Sequence, residues 1–308
     1  MLLLGACSTG PSSPIVSIVP EARPQVAPAP PAPDTYDIPN PGDPDLRRFY
    51  QRLQSNLLTR GLLRTDGGGP DTPFTDAQLA RNFIRIALFD EYVTDGQELR
   101  ARATASRLRR WAQPVRIGVE FGATVPAAQR ATDRATVAAF APRLSRATRH
   151  RVTASTNNPN FHVLILNEAD RLASAPRLRQ LVPGIADSSL RAIVNLPRDQ
   201  LCIVVAFSQG ASSTYNKAVA VIRAEHPDLL RKSCLHEELA QGLGLANDSP
   251  AARPSIFNDD EEFGLLTTHD ELLLRMLYDR RLRPGMRAAE AAPIVRNIAT
   301  ELTLGGAS

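Results

Sequence analysis

The chain has 308 residues, 43% of them hydrophobic, with 36 Lys+Arg against 32 Asp+Glu and a formal net charge of +4. That composition supports a buried core and excludes a disordered polyelectrolyte. The basic residues alternate with acids and apolar groups, so no basic stripe marks a nucleic-acid partner, and none is expected.

Residues 1–7 read MLLLGAC, a short apolar run ending in Leu4-Gly5-Ala6-Cys7. The run resembles the lipobox of bacterial lipoproteins, which implies lipidation at Cys7 and attachment to a membrane through the lipid. It is shorter than a full export signal and lacks its basic start. Ser8 resembles the outer-membrane sorting pattern, so the expected location is the cell envelope, on the periplasmic side of the outer membrane. No other stretch approaches the ~20 apolar residues of a membrane span. Residues 8–45 hold 11 of the 25 prolines between Pro11 and Asp45 and read as a disordered, extended tether.

A single domain is expected over residues 46–308, with a helical part at about 46–112 and a motif-bearing part at about 113–308. DLRRFYQRLQSNLLTRGLL places Phe49, Leu53 and Leu57 on one helical stripe, and TDGGGPDTP breaks the chain. Thr75 is a candidate N-cap for a second helix burying Leu79, Phe83, Ile86 and Ala87. ELRARATASRLRRW reads as a third, basic helix. In PVRIGVEFG, Val115, Ile117, Val119 and Phe121 alternate as in a half-buried strand. PAAQRATDRATVAAFAPRLSRATR is a long amphipathic helix. NFHVLILN, DQLCIVVAFS and NKAVAVIRAE are strands, the last two short and edge-like. Trp111 reads as a core anchor. In an exported protein, Cys202 and Cys234 form an even pair for which a disulfide is expected; two buried free thiols are the alternative.

HEELAQGLGLAND, His236 to Asp248, follows behind Pro227. Its opening suggests the HExxH zinc motif, but Ala240 stands where the second histidine belongs. On a helical wheel Leu235, Leu239 and Leu243 form the buried stripe, Glu237 and Gln241 lie together on the far side with Glu238, and His236 falls on the other flank. In a register shifted by one residue, Glu237, Glu238, Gln241, Gly244 and Asn247 spell EExxQxxGxxN. Downstream stand Ser255-Ile256-Phe257 and LTTHDELLLRMLYD, Leu266 to Asp279.

These three segments resemble, in order, the HExxHxxGxxH helix, the methionine turn and the closing helix of the metzincin zinc proteases. The resemblance covers roughly the last third of the chain. It implies an α/β (α+β) zincin-like domain: a twisted mixed sheet, a backing helix, and an active-site-type helix beneath a cleft. The whole also resembles a proteobacterial lipoprotein domain of unknown function. By the resemblance Glu238 is the candidate general base, Glu237, Gln241 and Asn247 take the ligand positions with Asp248 beside them, and Ser255, Ile256 and Phe257 form the turn under the site.

No histidine occupies a ligand position, so no metal cofactor is expected. An oxygen-liganded divalent cation on Glu237, Gln241 and Asn247 is the alternative. The expected function is therefore a degenerate protease-like cleft binding an envelope protein or peptide without zinc catalysis, with arginine-rich surroundings favouring an acidic partner. A hydrolase using Glu238 is the alternative, and a purely structural envelope protein the second. NDDEEFG, Asn258 to Gly264, reads as a solvated acidic loop and His269 as a surface residue; His150, His162 and His226 have no partner at ligand spacing.

Overall fold

The computed structural model describes residues 43–95, 98–258 and 260–304, with the side chains of 93–95 and 98–101 left aside. Cys7 and nearly all of the expected tether lie outside the described residues.

Helix α1 (Pro44–Thr59) is capped by Asp43, whose carboxylate accepts from the Asp45 and Leu46 N–H groups. It buries Tyr50 and Leu57, so its inward stripe is centred one residue away from Phe49. Helix α2 (Asp76–Ala87) opens on a capping box: the Thr75 hydroxyl accepts from Gln78 N–H and the Gln78 side chain accepts from Thr75 N–H. Leu79, Phe83, Ile86 and Ala87 are buried as their spacing requires.

Strands β1 (Phe89–Asp95) and β2 (Glu98–Ala105) then pair antiparallel in a separate two-stranded sheet. The segment expected as a basic helix is therefore half of a hairpin. Its Arg, Ala and Leu residues are good helix formers, but Arg102 to Ala105 are exposed, so no apolar helical face is buried there and pairing with β1 decides the conformation.

Short β3 (Arg110–Trp111) and β4 (Val115–Phe121) lead into the 22-residue α3 (Ala127–Thr148), then β5 (Val152–Ala154) and β6 (Phe161–Leu166). Helices α4 (Glu168–Leu172), α5 (Ala175–Leu181) and α6 (Asp187–Val194) follow, none of them signalled by the sequence pattern. Next come β7 (Cys202–Ser208), β8 (Thr214–Arg223), α7 (Asp228–Gln241), α8 (Thr268–Leu277) and α9 (Ala288–Leu304).

The main sheet runs β5-β4-β6-β8-β7, all parallel except β7; β3 continues the β6 side at the start of β8. The architecture is thus mixed α/β with a mostly parallel sheet. Far from being edge-like, β8 is the longest strand and pairs with three others; β7 alone of the two is an edge. Both faces of β8 are covered: Ala218, Ala220 and Ile222 join the core shared with α3 and α7, while Val219 and Val221 join a smaller core with α5 and α6. That double coverage explains why β6 is buried at all six positions.

Candidate functional site

Helix α7 leaves the carboxyl end of the central strand β8 and is locked at both ends. Near its start, Arg231 Nε donates to both carboxylate oxygens of Asp133 on α3, at 2.8 and 3.0 Å, with both residues buried. Beyond its last turn, Trp111 Nε1 donates to the Gly242 carbonyl at 2.8 Å and the Tyr278 hydroxyl to the Leu243 carbonyl at 3.0 Å. Leu235, Leu239 and Leu243 face the core. The chain turns out of the helix at Gly244, where φ is +127° and a Cβ would stand 2.3 Å from the Arg109 carbonyl oxygen. Only glycine meets both demands.

The opposite face of α7 borders a cavity of about 230 Å³. Ser233, Glu237, Glu238 and Gln241 come from the helix, Glu91 and Tyr92 from β1, and Leu201 to Val204 from the edge strand and the residue before it. Asp199, Asp248 and Glu261 add carboxylates, and Ile256 and Phe263 add apolar wall. Among the described residues that line it there is no Lys, Arg or His. The arginines that the sequence led one to expect around the site do not line this cavity; among them, Arg64 pairs with Asp66 and Asp71 and Arg281 with Asp279 and Glu301. A second hollow shares Glu91, Tyr92, Ile203, Val204 and Gln241 with the first, so a groove runs on between β1 and β7. Gln200 Nε2 donates to the Tyr92 hydroxyl across it at 2.6 Å.

Burial and mutual repulsion set the protonation of this cluster. Glu238 is 3% exposed, and its Oε2 has no hydrogen-bond partner. Burial, then the charges of Glu91 and Asp248, push its carboxyl well above the usual range. Burial likewise raises Glu237, helped by Asp248, Glu238, Glu261 and Glu91. Burial also raises the Tyr92 phenol, reinforced by Glu91.

The structure brings Glu237, Glu238, Gln241 and Asp248 together, with Gln241 Nε2 donating to Asp248 Oδ1 at 3.1 Å. Asn247 is not with them. Its amide donates to the carbonyls of Arg85 on α2 (2.9 Å) and Asp248 (2.7 Å), and its N–H to that of Ile86. Docking against α2 takes the side chain out of the cleft, and the next residue, Asp248, enters instead. Beneath the site, Ile256 lines the cavity while Phe257 is fully buried. The turn is held by Asp270, which the closing-helix motif includes without giving it a role: its carboxylate accepts from Ser255 Oγ (2.6 Å), Ile256 N–H (3.1 Å) and Thr267 N–H (2.9 Å).

Cys202 and Cys234 are disulfide-bonded with Cα atoms 5.9 Å apart, tying the start of β7 to α7. His236 stacks on Phe140 and accepts from Leu266 N–H at Nδ1; burial first, then Arg143 and Lys232, depress it to about 3, so it is a neutral core residue. His269, expected at the surface, is fully buried and accepts from the Asn82 amide at 3.1 Å. The acidic loop expected to be solvated sends Asn258 and Glu261 into the cleft. Glu91, Tyr92, Asp199 and Gln200 were missed because no local motif surrounds them.

Zinc, which the resemblance would imply, does not suit these groups. The cleft offers carboxylates and the amides of Gln200, Gln241 and Asn258 where zinc favours nitrogen and sulfur, and among the described residues no three His, Cys, Asp or Glu are placed to hold a metal ion. The family described as protein of unknown function (DUF2927) matches residues 76–297. The chain belongs to the DUF2927 family. The DUF2927 match takes in all eight strands, α7 and every cleft residue named above, and leaves out α1. No curated protein and no solved structure matches the chain.

Proposed function

We propose that this DUF2927 protein is an envelope lipoprotein whose metzincin-like domain binds an extended segment of a protein or peptide and does not hydrolyse it. The observation that carries the reading is the groove between β1 and β7, which opens over Glu238 and Gln241 and is lined by carboxylates, with Arg109 at its far part paired to Asp90. Among the described residues β7 pairs on one side only, with β8. An edge strand of that kind accepts a further strand through its main-chain groups, and the pockets beside it select side chains. The mixed sheet, the long α3 behind it and α7 beneath the cleft agree with the zincin-like arrangement. The disulfide agrees with an oxidising compartment, and lipidation at Cys7 supplies the anchor.

The alternative, a hydrolase with Glu238 as general base and an oxygen-liganded cation, has the unpartnered Glu238 Oε2 in its favour. One assay separates the two. The protein is incubated with a degenerate peptide library, and retained and cleaved peptides are both identified by mass spectrometry. Retention of uncut peptides is expected; cleavage that disappears in Glu238→Gln would establish the hydrolase. Labelling with a radioactive fatty acid, lost in Cys7→Ala, tests the anchor.

A further inference from the structure

The cleft is walled by two kinds of residue. Glu237 and Glu238 on α7 line it together with Glu91, Asp199, Asp248 and Glu261 from other segments. Ile203 and Val204 of the edge strand and Ile256 of the turn add apolar lining. Glu238, 3% exposed to solvent, lines this space, and its Oε2 has no hydrogen-bond donor.

An apolar guest would leave that oxygen unpaired, and an acidic one would add repulsion. A bare metal ion fits poorly, because among the described residues no three His, Cys, Asp or Glu are placed to hold one and the cavity, at about 230 Å³, far exceeds the ~10–15 Å³ that one water requires. A long side chain with an aliphatic stem and a cationic head matches both walls.

We propose that the cavity is a recognition pocket for a lysine or arginine side chain of the bound segment, its stem against Ile203, Val204 and Ile256 and its charge on Glu237 and Glu238. The proposal rests on the peptide-binding reading of the groove and names the residue the groove selects.

The test is calorimetric titration of the full chain with short blocked peptides that differ only at the central residue: lysine, arginine, norleucine or Nε-acetyl-lysine. The lysine and arginine peptides are expected to bind at least ~10-fold more tightly than the two neutral ones. In Glu237→Gln/Glu238→Gln that advantage is expected to fall below ~3-fold while norleucine binding persists, which also shows that the variant is folded. Equal binding of all four overturns cation selection and leaves the groove reading standing. An advantage unchanged in the double variant overturns the assignment to this cavity. No binding by any peptide up to about 1 mM, a free energy near −4.1 kcal/mol, overturns both readings. Tight binding of calcium chloride alone, displacing the lysine peptide, overturns the proposal in favour of a metal site.

Discussion

Breaking the Cys202–Cys234 bond has a cost that follows from the position of the bond in the chain. The bond closes a loop with a sequence separation of 32 and ties the first residue of β7 to the middle of α7, two elements that line the cleft. For a loop of that length the chain-entropy relation gives about 3.7 kcal/mol at 25 °C. At roughly 2–4 °C per kcal/mol for a domain of this size, Cys202→Ser/Cys234→Ser should melt about 7–15 °C below the oxidised wild type. The assay is thermal unfolding followed by circular dichroism, run on oxidised wild type, reduced wild type and the double variant. Reduced wild type and the variant should coincide. If oxidised wild type and the variant melt within about 2 °C of each other, the reasoning fails, because the loop constraint would then contribute almost nothing to folding.

Three further outcomes follow from the same structure. Because burial raises the Glu237 and Glu238 carboxyls in the folded chain, the folded state holds protons that the unfolded chain releases; stability is therefore fullest below the unfolded carboxyl range near ~4.3 and declines as pH rises through the raised folded values. Glu238→Gln should accordingly be more stable than wild type at pH ~8, by about 1–3 kcal/mol, with the gap closing toward pH ~4; urea unfolding at several pH values measures this, and a wild type more stable at the alkaline end would contradict it. Asp270→Ala strands the Ser255, Ile256 and Thr267 donors in a fully buried site and should cost about 2–4 kcal/mol, read as a lowered urea midpoint; an unchanged midpoint would show that the turn does not depend on it. Gly244→Ala combines a positive φ with a 2.3 Å approach to the Arg109 carbonyl oxygen and should destabilise by more than ~2 kcal/mol in the same measurement, whereas a neutral effect would mean that the helix exit is free to move.

What could be read from the sequence was what has a local period or a local partner. Val115, Ile117, Val119 and Phe121 alternate and form β4, the Thr75 cap and its apolar stripe form α2, and the wheel separated Glu237, Glu238 and Gln241 from His236 as the structure does. The cysteine pairing followed from the even count left once Cys7 was set aside. What stayed hidden depends on segments far apart in the chain. The cleft's carboxylates at 91, 199, 237, 238, 248 and 261 come from five segments, so its sign could not be judged from net composition. Helical residues in β2 were overruled by pairing with β1, whose own sequence gave no warning. Asn247 was displaced by one residue because α2 offers it the Arg85 and Ile86 carbonyls, a partner about 160 positions upstream.

The central claim is that the cleft works through its carboxylates without a resident metal. Elemental analysis of the chain, purified without chelator or metal-affinity steps, tests it most directly. Metal far below one equivalent is expected in folded protein. Near-stoichiometric metal in the wild type, lost in Glu237→Ala/Gln241→Ala, would contradict it and make the cleft a metal centre.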